Sequence, residues 1–296
     1  MSSVAKNTIT RILTAAIALP VYVFAFTTDR WLNIPILTAS AIISLACLYE
    51  YYRVSSVDAT KRPFMAAGLV AGLGVNLVMY FYALHAQPGY HAWARPFMDA
   101  RIIIALVAVL IGVIAAAQLF RRPIQNGIYS LAVTVFGVVF IALFFSHIIL
   151  IKAVPDGVFH IFFINIVVML NDTGAYFSGV LLGKHKTNFP VSPNKSWEGY
   201  AGGFLISVLS AAATVLIFRS CFGVEIFGVL EAMLIGAALS VTGNLGDLIE
   251  SAVKRDGSIK DSGSIIPGHG GMWDAFDALV FSMPFYYYYL IVRGLS

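Results

Sequence analysis

Charge is scarce in this sequence. Asp, Glu, Lys and Arg make up 11% of 296 residues, while 59% are hydrophobic; an ordinary soluble domain carries roughly 25% charge. A mean hydropathy of +0.84 means more apolar surface than a water-facing fold can bury, so the solvent around most of the chain must be lipid. Cysteine is nearly absent. Cys47 lies inside an apolar run and Cys221 in a short loop, which excludes a disulfide framework and a thiolate metal site. Gly-x-x-x-x-Gly-Lys-Ser/Thr, Gly-x-Ser-x-Gly, His-Glu-x-x-His and Cys-x-x-Cys are all missing, which sets aside the P-loop, the hydrolase elbow, the zincin helix and the redox dithiol. No small-residue cleavage site follows the apolar run behind Lys6 and Arg11, so that run is expected to remain as a first span. The pI near 9.0 does not require nucleic acid. It fits basic loops facing anionic lipid and the cytoplasm.

What the sequence does have is long apolar runs. A helix needs about 20 such residues to cross the hydrocarbon core, and nine runs qualify: 11–28, 31–52, 64–84, 101–120, 128–151, 158–183, 200–219, 226–250 and 274–293. They are continuous rather than alternating, which points to helices and excludes a barrel. The expected fold is therefore all-α, a polytopic transmembrane helical bundle of about nine spans. Nine spans place the termini on opposite sides. Thirteen of the 19 Lys and Arg residues then fall on the N-terminal side, so the positive-inside rule puts the N-terminus in the cytoplasm.

The two parts of the chain differ in chemistry. Residues 1–157 read as N-terminal transmembrane helices, a lipid-facing scaffold. Glu50 and Arg53 sit near a span end and can snorkel to the interface. The loop 85–100, with His85, His91 and Trp93, reads as an interfacial aromatic belt. Residues 158–296 read as a transmembrane catalytic domain with cytoplasmic loops, because polar and ionisable groups move into its spans, where they are costly and mark function.

Asn171 and Asp172 interrupt the sixth run. A helix–helix hydrogen bond explains Asn171 easily but Asp172 poorly. Gly174, Gly179 and Gly183 supply small-residue faces for close helix packing. In the eighth run, Asn244, Asp247, Ser251 and Lys254 fall at i, i+3, i+7 and i+10, which places all four on one helix stripe. Glu250 reads as lying off that stripe, an interfacial charge. Asp274 and Asp277 open the ninth run and share a face. The eighth and ninth runs are expected to be antiparallel neighbours, which lets Asp247 and Asp274 approach. Two close carboxylates repel, and a divalent cation with hard oxygen ligands, such as Mg²⁺, removes that cost. The competing account makes Asp274 a helix N-terminal charge and Asp247 the ion-pair partner of a lysine.

Two loops on the same side, residues 183–199 and 254–271, combine lysines, hydroxyls and glycines. Lysines bring positive charge to phosphates, and glycines let backbone N–H groups approach an anion. Beside an aspartate cluster, the combination indicates phosphate plus metal. His269, between glycines, fits a general acid, a phosphate ligand or a turn residue.

The stretch Ser251-Ala252-Val253-Lys254-Arg255, Lys260-Asp261, then Pro267-Gly268-His269-Gly270-Gly271-Met272-Trp273-Asp274 and Asp277 closely resembles the C-terminal motif of the CDP-diacylglycerol synthase (phosphatidate cytidylyltransferase) family. Asn171-Asp172-Thr173-Gly174-Ala175-Tyr176 and Ser192-Pro193-Asn194-Lys195-Ser196-Trp197-Glu198-Gly199 also look like the family. The resemblance covers roughly residues 165–280. One position departs: where the family usually has Arg directly after the motif aspartate, this chain has Ala275, which leaves the identity of the acceptor open.

The resemblance implies transfer of a cytidylyl group from CTP to phosphatidate, giving CDP-diacylglycerol and pyrophosphate, with CTP and a membrane lipid as partners and no nucleic acid. It implies Mg²⁺ on Asp247 and Asp274, with Asp172 completing or orienting that cluster and room for a second cation. Lys254, Arg255 and Lys260 would stabilise the triphosphate and the leaving pyrophosphate. Ser192, Lys195 and Ser196 would bind phosphate oxygens, with Ser251, Gly270 and Gly271 completing the substrate-binding set. Asp261 and His269 would order the loop or move protons. The expected location is the bacterial inner membrane with the site facing the cytoplasm, and a homodimer is compatible with it. The alternatives are a CTP-dependent transferase or kinase acting on another lipid and, in a different class, an ion-coupled secondary transporter.

Overall fold

A computed structural model describes residues 20–28, 33–58, 60–84, 101–121, 125–267 and 270–295, together with Ala16 and Asp99. Eight of its helices are long and apolar enough to cross a membrane. In chain order they are α1 (Ile34–Val54), α2 (Met65–Leu84), α3 (Arg101–Arg121), α4 (Gly127–Ala153), α5 (Gly157–Leu182), α6 (Trp197–Phe222), α7 (Val229–Asp256) and α8 (Met272–Val292). They match eight of the nine expected runs to within a few residues. Of the first run, 11–28, Ala16 and residues 20–28 are described, 20–27 as helix; the loop 85–100 lies outside the described residues except for Asp99. Large apolar side chains such as Ile104, Phe120, Leu181 and Val292 are exposed on the helix surfaces, as a lipid environment allows.

The chain forms two compact units. One comprises residues Met1–Val154 and Val253–Phe276, the other Pro155–Ala252 and Asp277–Ser296. The loop after α7 therefore belongs with the N-terminal helices rather than with the span that precedes it.

The first unit is less bland than its sequence. Asn76 of α2 is fully buried and hydrogen-bonded: it donates to Ser44 Oγ (3.0 Å) and Gly72 O (2.9 Å), and its Oδ1 accepts from Ser40 Oγ (2.7 Å). An amide at that depth needs such partners, because lipid offers none. In α4 a π-helical segment spans Val138–Leu143. One turn before it, Tyr52 of α1 donates its hydroxyl to Thr134 O at 2.8 Å, tying α1 to the irregular helix.

In the second unit α5 and α6 pack through small residues. A Cβ on Gly174 would come within 2.8 Å of Ile206, and one on Gly203 within 2.9 Å of Ala175 Cβ and Asn171 O. A Cβ on Gly179 would meet Gly199 Cα at ordinary contact distance. Such positions let two backbones approach without apolar side chains between them. That close pairing fixes the hairpin connecting α5 to α6.

Candidate functional site

The carboxylates divide between the two units, and each set is built differently. In the second unit, Asp247 and Glu250 of α7 and Asp277 of α8 each offer an oxygen, and all three oxygens lie within 4.8 Å of one another. Gly246 makes this approach feasible. A Cβ there would stand 2.6 Å from Asp277 O and 2.9 Å from Phe281 Cβ, so any larger residue would push α8 away. Glu250 corrects the stripe reading. It is three residues beyond Asp247, about 60° round the helix on the side opposite to Ser251, and it is buried rather than interfacial. Stripe logic followed Asn244, Ser251 and Lys254 and overlooked the other flank.

Asp247 also has a lysine. Lys195 Nζ forms a salt bridge with Asp247 Oδ2, and Ser251 Oγ lies 3.3 Å from Asp247 Oδ1. The lysine comes from a tight hairpin between α5 and α6. Thr187 N donates to Lys195 O (2.9 Å), Lys186 pairs with Ser196, and Phe189 with Ser192. Asn188 turns the chain at φ 55°. Lys195 also lies 5.3 Å from the centre of the Tyr200 ring. Burial works against its ammonium, but the Asp247 carboxylate outweighs burial and holds its pKa above the ordinary lysine value, with Tyr200 and Asp172 adding to the effect.

Ser196 is buried and serves as the N-cap of α6, where its Oγ accepts from Gly199 N at 3.2 Å. Ser192 is half-buried in the hairpin turn. Asn171 behaves as a helix–helix link: its Oδ1 accepts from Ser240 Oγ at 2.6 Å and its Nδ2 donates to Asp172 Oδ1 at 3.1 Å. Asp172 is exposed on α5 and within electrostatic reach of Lys195.

The first unit holds the motif loop. Asp274, in the first turn of α8, receives Lys254 Nζ on Oδ1 at 2.7 Å. Its Oδ2 accepts from Ser262 N (2.9 Å), Ser262 Oγ (3.0 Å) and Gly271 N (2.8 Å). Gly270 takes φ +100°, in the left-handed half of backbone space that favours glycine, and its N–H bonds Ile266 O. The N–H groups of Gly270 and Gly271 are thus engaged within the loop. Arg255, Lys260, Asp261 and Ala275 are exposed. His269 lies outside the described residues.

Glu50 overturns its sequence reading. It does not snorkel: it is 2% exposed, and its Oε2 accepts from Ser262 Oγ (3.0 Å) and Trp273 N (2.9 Å). Nothing near Glu50 in sequence signals this, because its partners lie more than two hundred residues away.

Chemically, the second unit's three carboxylates supply hard oxygen donors whose mutual repulsion a divalent cation relieves. The donor set therefore fits such an ion among the described residues. Within the second unit, Lys195 brings a positive charge to this group.

The profile of the cytidylyltransferase family matches residues 9–292. The chain is 34% identical over 284 residues to the phosphatidate cytidylyltransferase of Bacillus subtilis (strain 168), covering 95% of this chain and 96% of that protein. It is 30% identical over 274 residues to the enzyme of that name from Staphylococcus saprophyticus, covering 93% and 95%. A similar protein of Staphylococcus haemolyticus is 45% identical over 129 residues, 44% of this chain and 48% of that one.

Proposed function

The chain belongs to the cytidylyltransferase family, and we propose on that premise that it transfers the cytidylyl group of CTP to phosphatidate, at the cytoplasmic face of a bacterial inner membrane. The observation that carries the reading is the grouping of Asp247, Glu250 and Asp277 on helices long enough to span a membrane. A carboxylate cluster at that position suits a reaction between a lipid phosphate and a soluble triphosphate. The transporter and lipid-kinase alternatives have no comparable support from the relatives.

In the reaction a phosphate oxygen of phosphatidate attacks the α-phosphorus of CTP, the bond from that phosphorus to the bridging oxygen breaks, and pyrophosphate leaves. A phosphate monoester is already ionised near neutral pH, so no strong base is required, and catalysis is positioning and charge neutralisation. Asp247, Glu250 and Asp277 would hold Mg²⁺, which when bound supplies positive charge to the phosphate oxygens. Lys195, held by the α5–α6 hairpin, presents a charged ammonium beside the cluster. Asp172 adds negative charge near that lysine. Arg255, exposed in the last turn of α7, and Lys260, exposed on the motif loop, would attract the triphosphate and offset the charge of pyrophosphate. Lys254 and Asp274 brace that loop through their ion pair.

The test uses detergent-purified protein with phosphatidate, CTP labelled at the α-phosphate, and Mg²⁺. Labelled CDP-diacylglycerol that disappears on chelation supports the proposal. Well-folded protein that makes none with phosphatidate, but does with another lipid phosphate, would move the acceptor and direct attention to Ala275.

A further inference from the structure

We propose that Glu50, in the span that the sequence presents as scaffold, is the positioning residue for the nucleotide-facing motif loop, and that CTP binding depends on it. The inference rests on the cytidylyltransferase reading above.

A carboxylate buried within a transmembrane helix is costly and must have a use. Glu50 reaches the loop at two points. Its Oε2 accepts from the Ser262 hydroxyl and from Trp273 N. The same hydroxyl lies 3.0 Å from Asp274 Oδ2, and Asp274 binds Lys254. One continuous set of contacts thus runs from α1 through the loop to the first turn of α8. The backbone is shaped to it. A Cβ on Gly263 would overlap Glu50 Oε1, and a Cβ on Gly271 would overlap Ser262 Oγ. Glycines stand where the loop wraps the carboxylate. Trp273, fully buried, closes the far side with an edge contact to Tyr51, the neighbour of Glu50 (ring centres 5.4 Å apart).

What Glu50 shapes is a place for a ligand. The loop and the end of α1 enclose an open cavity of about 580 Å³, lined among others by Arg53, Ser56, Asp256, Ser258, Asp261 and Ser264. That volume lies within the range of small-molecule sites, about 300–1,000 Å³. Its lining sets hydroxyls, carboxylates and a guanidinium among Val54, Val57 and Ile259, which suits a hydrogen-bonding molecule that also presents an apolar face, as a nucleoside does. Ser262 and Gly263, the residues that grip Glu50, also line it. Loss of the grip should therefore affect the nucleotide and spare the lipid.

The experiment compares Glu50→Ala, Glu50→Gln, Gly263→Ala and the Glu50→Ala/Gly263→Ala double variant in the purified full chain. It reads kcat and KM for each substrate, and the rate of trypsin cleavage after the exposed Lys260. Positioning losses of this type run to about 10–100-fold. Glu50→Ala and Gly263→Ala should each lose that much in kcat/KM for CTP, mainly through KM, with KM for phosphatidate unchanged and Lys260 cut faster. Glu50→Gln keeps an acceptor for Trp273 N and should recover most of the loss. The double variant should be no worse than either single, because removing the Glu50 carboxylate clears the space a Gly263 Cβ would enter. An unchanged KM for CTP in Glu50→Ala, equal losses for both substrates, or additive losses in the double variant would overturn the proposal. The trypsin arm needs no turnover: unaltered cleavage in Glu50→Ala overturns the grip itself even if the chain proves to use another nucleotide, whereas faster cleavage without any cytidylyl transfer would fault the reaction and keep the grip.

Discussion

Asp274 and Asp247 sit at similar points in the sequence pattern, each paired with a lysine, yet the structure surrounds them differently. Asp274 is enclosed by donors: the Lys254 ammonium, two backbone N–H groups and the Ser262 hydroxyl, whose single proton it shares with Glu50. Asp247 has Lys195 and Ser251, and two further carboxylates beside it. A carboxylate saturated by backbone N–H groups fixes a loop, because leaving those donors unpaired would cost about 1–3 kcal/mol each. Carboxylates gathered together do the reverse. They raise the local negative charge until a cation lowers it. The same residue type thus fixes a loop in one unit and joins a group of hard oxygen donors in the other.

Substituting each aspartate in turn is the strongest way to break that contrast. Asp247→Asn should lower kcat about a hundredfold or more, the scale of losing one electrostatic stabiliser, without reducing the amount of protein in the membrane. It should also abolish stabilisation by Mg²⁺. At a hundredfold excess over its Kd a site-bound ion adds about 2.7 kcal/mol, which appears as a rise in thermal-inactivation temperature. Asp274→Asn should keep that Mg²⁺-dependent rise while losing about 3 kcal/mol of stability, since it removes the negative member of an ion pair in which both side chains are only 14% exposed. If the Mg²⁺ effect vanished in Asp274→Asn as well, that aspartate would be a ligand as the family resemblance implies, and the contrast would collapse.

How far the sequence carries depends on the range of the interaction. Eight spans were legible because twenty apolar residues in a row have one economical structure in lipid. The Gly174 packing face was legible for a similar reason, since small residues in a span are there to be approached. Asp247 and Lys254 were legible through helix periodicity. Glu250 was within the same logic but on the flank that the stripe did not follow. The pairing of Lys195 with Asp247 was foreseeable only as one of two accounts, a lysine partner or a cation, and the structure contains the lysine beside the carboxylate group. Glu50 was not legible at all. Its role exists only through Ser262 and Trp273, which reach it by tertiary packing, and no local pattern distinguishes it from a snorkelling charge.

A smaller change sharpens the comparison from the backbone side. Gly246→Ala adds one methyl where α7 meets Asp277 and Phe281. Overpacking of this sort costs about 1–3 kcal/mol. The larger consequence should be for chemistry, because Asp277 moves away from Asp247 and Glu250. Turnover should fall about tenfold, on the scale of displacing a site by part of an ångström, and the Mg²⁺ concentration for half-maximal activity should rise. KM for CTP measured at saturating Mg²⁺ should not move. A variant that lost stability but kept its Mg²⁺ dependence would show that the three carboxylates do not act as one group.

The smallest expected effect tests whether a serine in the α5–α6 hairpin serves substrate or helix. Ser196 was placed among the phosphate-binding residues by its motif, but it is buried and its Oγ caps α6 through Gly199 N. Loss of such a cap costs about 1 kcal/mol. Ser196→Ala should therefore lower thermal stability by that amount and leave both KM values within a factor of two, because the neighbouring Lys195 still reaches Asp247 from the β-bridged hairpin. Ser192→Ala is the matched control: its hydroxyl sits in the half-buried turn, and a rise in KM there with none at Ser196 would divide the two serines between binding and capping. A rise in KM at Ser196 without loss of stability would mean that the hydroxyl turns from Gly199 to the phosphate when substrate is bound, and the motif would then describe the liganded site better than the resting geometry does.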